Sequence, residues 1–165
     1  MNSTATNRTL DVTTPSDREI VMKRALDAPR ALVFDAFTKP ELIRRWLLGP
    51  DGWSMPVCDV ELRVGGTFHY VWRSDDGSKE FGIHGTYREI AAPERIVHLE
   101  SFDEAWYPGE AEITTAFEVS DSGTTVTLTC LYESREARDT ALESGMDKGV
   151  EVSFNRLTEI LRDVA

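Results

Sequence analysis

The residues best suited to chemistry are histidines. His69, His84 and His98 fall on three consecutive strand-like segments, and Glu100 follows His98 at the two-residue spacing that keeps strand side chains on one face. An imidazole beside a carboxylate can move protons near neutral pH, so His84, His98 and Glu100 are the candidates for general acid/base work. The plainer reading is a satisfied polar pair, or histidines on the outer sheet face. His69 alternates out of phase with Phe68, Tyr70 and Trp72, which breaks up a three-histidine metal site, so no metal is expected. Cys58 and Cys130 have no base nearby in sequence and sit in apolar strand-like runs; they read as free buried thiols rather than a disulfide or a nucleophile. Arg63 before Gly65-Gly66 lacks the helix and spacing of a phosphate loop and reads as a turn. No cofactor is expected.

Aromatic side chains are the second resource. Trp46, Trp53, Phe68, Tyr70, Trp72, Phe81 and Trp106 are many for one core, and they could line an apolar cavity with a few polar handles. Against them stands the C-terminal run from Ser134 to Val164, read as one long helix capped by Ser134. Leu142, Met146, Val150, Leu157, Ile160 and Val164 share a face at helical spacing, with Gly149 and Ser153 in its middle. Asp147, Lys148, Glu151, Asn155, Thr158 and Arg162 take the polar side. Small residues in a buried stripe mean either close backbone packing or a cavity left open. The candidate ligand-binding wall on the helix is Met146, Gly149, Val150, Ser153 and Phe154.

These residues need a frame to position them. With 165 residues the chain reads as one domain over 18–165, able to bury roughly 70% of its unfolded surface. Residues 1–17 are polar and read as a flexible tail. A strand at Glu19–Arg24 leads into two short helices, over Pro29–Phe37 and Glu41–Leu47, interrupted at Lys39-Pro40. A strand meander follows, with turns at Gly65-Gly66, Asp75-Asp76-Gly77, Ala92-Pro93-Glu94 and Asp121-Ser122-Gly123. Thr125, Thr127 and Thr129 alternate with Val126, Leu128 and Cys130, giving a polar outer face. The order predicts an α+β two-layer fold: a curved antiparallel sheet of about six to seven strands gripping the long C-terminal helix.

A net charge of −11 without a basic run excludes nucleic acid and disfavours anionic membranes as partners. No signal segment or apolar span is evident, so a cytoplasmic location is expected.

Several stretches resemble a known family: Ala28-Pro29-Arg30, Val33 to Thr38, Pro40-Glu41-Leu42 and Arg45-Trp46; Leu62 to Gly66, Gly85 to Ile90 and Pro93 to Val97; Ser101-Phe102-Asp103, Tyr107 to Glu110, Arg138-Asp139 and Ser144-Gly145-Met146. From about Glu19 to Leu161 the chain resembles the START-like, or SRPBCC, superfamily with its helix-grip fold, and more closely the branch of homologues of the activator of heat-shock protein 90 ATPase. Glu61, where the family pattern has Asp, and Trp72, where it has a smaller apolar residue, depart from it. The resemblance implies a cavity between sheet and helix for lipids, hormones or aromatic compounds. It carries over no catalytic motif, so the reading leans away from an enzyme. The leading expectation is a carrier or sensor of a small apolar or aromatic molecule. The alternatives are a cyclase, aromatase or hydrolase in the same cavity, or a chaperone-ATPase partner linked to stress response, which would show an apolar patch on the outer sheet face. A homodimer through a sheet edge stays open.

Overall fold

The computed structural model describes residues 10–164, in which one antiparallel sheet wraps around a C-terminal helix. The strands are β1 (Asp11–Thr13), β2 (Glu19–Leu26), β3 (Trp53–Val60), β4 (Thr67–Ser74), β5 (Glu80–Ala91), β6 (Arg95–Phe102), β7 (Ala111–Ser120) and β8 (Gly123–Leu131). Helices α1 (Arg30–Thr38) and α2 (Pro40–Trp46) lie between β2 and β3, and α3 (Arg135–Glu143) and α4 (Met146–Val164) close the chain. The strand order is β1-β2-β8-β7-β6-β5-β4-β3, so β2 pairs with the C-terminal β8 while β3 to β8 run as a meander. The expectation of an α+β helix-grip fold holds, with eight strands where six to seven were read.

The additional strand is β1. Residues 1–9 of the segment read as a tail lie outside the described residues, but Asp11, Val12 and Thr13 pair with Lys23, Met22 and Val21. That part of the tail expectation is corrected: backbone pairing to an edge strand orders a polar segment without burying much of it.

The turns follow the residues that allow them. Gly65 has a φ of 84° and donates to the Tyr87 carbonyl, while the Gly66 carbonyl accepts from Tyr87. A Cβ on Gly66 would run into the Glu61 carbonyl. The Gly-Gly pair is thus a backbone crossing beside β5. Register shifts in β3 between Ser54 and Val57, and in β5 between Tyr87 and Glu89, bend those strands and help curve the sheet.

The single C-terminal helix is also corrected. Gly145 takes a φ of 83° and its N–H bonds the Leu142 carbonyl, ending α3 with a left-handed residue after which α4 restarts. Ser134 caps α3 as expected, its hydroxyl accepting from Ala137 N at 3.0 Å. Ser134→Ala leaves that N–H unpaired and should lower unfolding free energy by about 1 kcal/mol in urea titrations.

On α4, Ser153, Leu157 and Ile160 are buried as the stripe requires and Phe154 and Leu161 beside it are buried too, whereas Val164 is exposed. Thr158, read as part of the polar side, is buried instead. Its hydroxyl donates to the Phe154 carbonyl at 3.0 Å and lies 3.4 Å from Arg24 Nη2, the guanidinium of a β2 residue buried beneath the helix. Those hydrogen bonds let a polar residue enter the core.

Candidate functional site

Between the concave face of the sheet and α4 lies a cavity of about 470 Å³. The inward phase of each strand builds its wall: Phe68, Tyr70 and Trp72 from β4; Phe81, Ile83 and Tyr87 from β5; Ile96, His98, Glu100 and Phe102 from β6. Met146, Gly149, Val150, Ser153 and Phe154 line it from α4, and Trp46, Trp53 and Trp106 complete the aromatic part. Every aromatic and helix residue proposed from the sequence for this wall stands there. All four tryptophans and all four tyrosines of the chain line the space.

Burial divides the wall into depth and mouth. Trp46 and Phe154 are 1% exposed, whereas Phe81 and Trp106 are 44% and 42% exposed. Trp72 stacks on Phe81 with centroids 5.0 Å apart, and Trp53 meets Phe81 edge-on at 5.5 Å. The α2–β3 connection forms the rim. Trp72 Nε1 donates to the Leu47 carbonyl at 2.7 Å, and Arg156 Nη1 donates to the Gly49 carbonyl at 3.1 Å.

The two small residues of the helix stripe have different causes. A Cβ built on Gly149 meets nothing within 4 Å, so that position leaves space open. Ser153 instead accepts a hydrogen bond from Gly49 N at 2.8 Å and draws the rim loop onto α4. Both alternatives raised by the sequence, open space and close backbone approach, therefore occur one helical turn apart.

Polar groups are few in the cavity. His98 Nε2 lies 2.9 Å from Glu100 Oε1, with side chains 16% and 23% exposed, and the His98 ring meets Phe68 edge-on at 4.9 Å. Tyr70 and Tyr87 both pack against the Phe68 ring, with centroids 5.0 and 5.5 Å away. Burial, with the neighbouring Tyr87 adding to it, pushes the Tyr70 hydroxyl well above its ordinary value. Burial likewise lifts Tyr87 to about 12. Burial and then the charge of Glu100 raise Tyr107 and the Cys130 thiol; burial is also the main cause for Tyr132. These five groups stay neutral at physiological pH. Cys130 and Cys58 are both buried free thiols, as the sequence indicated.

His84 does not belong to this site. In register with His69 on β4, it lies on the outer face with it, and the two share Asp103: His69 Nε2 to Oδ2 at 2.8 Å and His84 Nδ1 to Oδ1 at 2.7 Å. Partial burial raises the Asp103 carboxyl, but the two imidazoles' hydrogen bonds and charge more than reverse this and hold it below the ordinary carboxylate value. The expected grouping of His84 with His98 and Glu100 is corrected, because the sheet itself separates them. No group of three or more metal-ligating side chains suited to a metal ion occurs among the described residues.

Reading the sequence for large aromatics missed Tyr87, Tyr107 and Tyr132. Tyr87 follows the inward phase of Phe81, Ile83 and Gly85, a signal that strand alternation carries. Tyr132 continues the inward alternation of Val126, Leu128 and Cys130 one step past the end of β8, whereas Tyr107 lies in the β6–β7 connection, where no periodicity marks it.

Among curated proteins nothing matches. Solved structures do. A protein from Rhodobacter sphaeroides is 27% identical, with 94% of this chain and 99% of that one covered and a TM-score of 0.88. One from Staphylococcus epidermidis is also 27% identical over 93% of this chain and 94% of that one, with a TM-score of 0.79. A protein described as AHSA1-like, from Aeromonas hydrophila, shares the fold at 22% identity and a TM-score of 0.72, covering 86% and 93% of the two chains. The model of the family "Activator of Hsp90 ATPase homolog 1-like protein" matches residues 27–162, which takes in α1 to α3, all but the last residues of α4, and six of the eight strands, β3 to β8. With its START-like sheet and helix, the chain belongs to that family.

Proposed function

We propose that the protein binds a small hydrophobic or aromatic molecule in the cavity between sheet and α4. The observation that carries this reading is the 470 Å³ space itself, within the range of about 300–1,000 Å³ typical of small-molecule sites. A protein of this size normally packs its interior to crystal-like density, so a wall of eight Trp and Tyr side chains around open space is costly unless it is filled. START-like folds commonly hold ligands in this position, which supports the reading. The chaperone-partner alternative calls for an apolar patch on the outer sheet face. The exposed large apolar side chains stand elsewhere: Leu62 and Val64 in the β3–β4 connection, Phe81 and Trp106 at the mouth, Val152 and Val164 on α4, and Val119 near the end of β7. No described helix is long and apolar enough to cross a membrane.

The test is native mass spectrometry of protein purified without detergent from its own source, followed by thermal shift with aromatic and lipid libraries. A co-purified small molecule is expected. A ligand at about a hundredfold excess over its Kd should add about 2.7 kcal/mol and raise Tm by several degrees. An empty protein that no library compound stabilises would overturn the reading.

A further inference from the structure

Resting on the ligand-binding reading, we infer that the cavity selects its occupant by charge: it takes an aromatic molecule whose head group is a hydrogen-bond donor, a cationic amine or a neutral hydroxyl, seats that donor on Glu100, and refuses carboxylates. Among the described residues no lysine or arginine lines the cavity, and Glu100 and His98 are the one acidic and one basic side chain in its wall. While Glu100 is ionised the pair carries a net charge of zero or minus one, whichever state His98 holds. An anionic head group would therefore be desolvated beside a carboxylate with no net positive charge to offset it, a combination proteins avoid.

A donor meets the opposite situation. His98 occupies Glu100 Oε1, and no other described residue takes Oε2. A donor hydrogen bond to an ionised carboxylate is among the stronger kinds. The surrounding Trp and Tyr faces favour a cation further through their ring quadrupoles, and the tyrosine hydroxyls, held neutral by burial, add no competing charge. This one carboxylate disfavours fatty acids and aromatic acids against amines and alcohols of the same skeleton.

The experiment uses three probes with one skeleton: 1-naphthylmethylamine, 1-naphthalenemethanol and 1-naphthoate, titrated calorimetrically into the full chain at neutral pH. The amine and alcohol are expected to bind, and naphthoate to bind more weakly by about tenfold to a hundredfold. Glu100→Gln, isosteric and uncharged, should remove the amine's advantage and bring naphthoate closer to the alcohol. Naphthoate binding the unsubstituted protein as tightly as the alcohol would overturn the charge selection while leaving the cavity a binding site. An amine-to-naphthoate ratio unchanged in a folded E100Q protein would do the same. Binding of none of the three would overturn this inference together with the reading it rests on. Should E100Q fail to fold, the head-group ratio in the unsubstituted protein decides alone.

Discussion

Trp46→Ala is expected to be the most destabilising single change in this protein, lowering unfolding free energy by about 3–5 kcal/mol. The indole is 1% exposed at the end of α2. Its ring lies 4.8 Å from that of Phe37 and 5.7 Å from that of Phe154, so it joins α1 to α4. Its Nε1 donates to the Ala36 carbonyl at 2.8 Å in a buried setting, and truncation leaves that carbonyl short of a donor. Because Trp46 already borders the cavity, the lost volume merges with existing space and the surroundings have little reason to collapse onto it. Trp46→Phe keeps most of the packing and loses the N–H; it should cost about 1–3 kcal/mol. Urea titrations of both variants, with unchanged m-values, measure this. A loss under about 1 kcal/mol for W46A would show that the aromatic cluster does not hold the helices together.

Trp46 was legible in the sequence because a large aromatic at the end of a short helix has few places to go but inward. Much of the wall was legible for a similar reason: Phe68, Tyr70 and Trp72 alternate on one strand, and Met146, Gly149, Val150, Ser153 and Phe154 follow a helical stripe. Local periodicity fixes facing, and facing is what a two-layer fold turns into location. The misplacement of His84 was avoidable by the same rule, since Phe81, Ile83, Gly85 and Tyr87 mark the inward phase of β5 and leave His84 outside it. The break at Gly145 was also written in the chain, because Ser-Gly ahead of a new apolar run is a helix-end signal.

Other features depend on partners far away in sequence. Thr158 reads as polar surface until Arg24, 134 residues distant, is found buried against it. Asp103 gives no sign of joining two histidines until the meander folds β4, β5 and β6 side by side. Strand β1 is only three residues long, too short to show an alternation of its own, and it pairs because the edge of β2 offers unpaired backbone groups. In each case the determining contact is tertiary, and no window of sequence contains both halves of it.

Gly149→Phe is expected to abolish ligand binding without destabilising the fold, and this dissociation separates a functional void from a packing defect. Gly149 lies in the first turns of α4 and faces the cavity, where an added Cβ meets no atom within 4 Å. A benzyl group there enters the space a ligand would fill. Glycine in a helix is also unfavourable by roughly 0.5–1 kcal/mol relative to alanine, because the unfolded chain loses more freedom on ordering. Gly149→Ala should therefore raise unfolding free energy by about that amount while a small aromatic probe still binds. G149F should keep a Tm at or above that of the parent and lose binding by at least about tenfold, read by tryptophan fluorescence, for which all four indoles stand at the site. If binding survives G149F intact, the ligand lies elsewhere. If instead both variants unfold the protein, the glycine is needed for close backbone packing rather than for keeping space open. A more stable protein that has lost its ligand is the outcome that an open cavity, kept open by a glycine at a position where almost any other residue would favour the helix, requires.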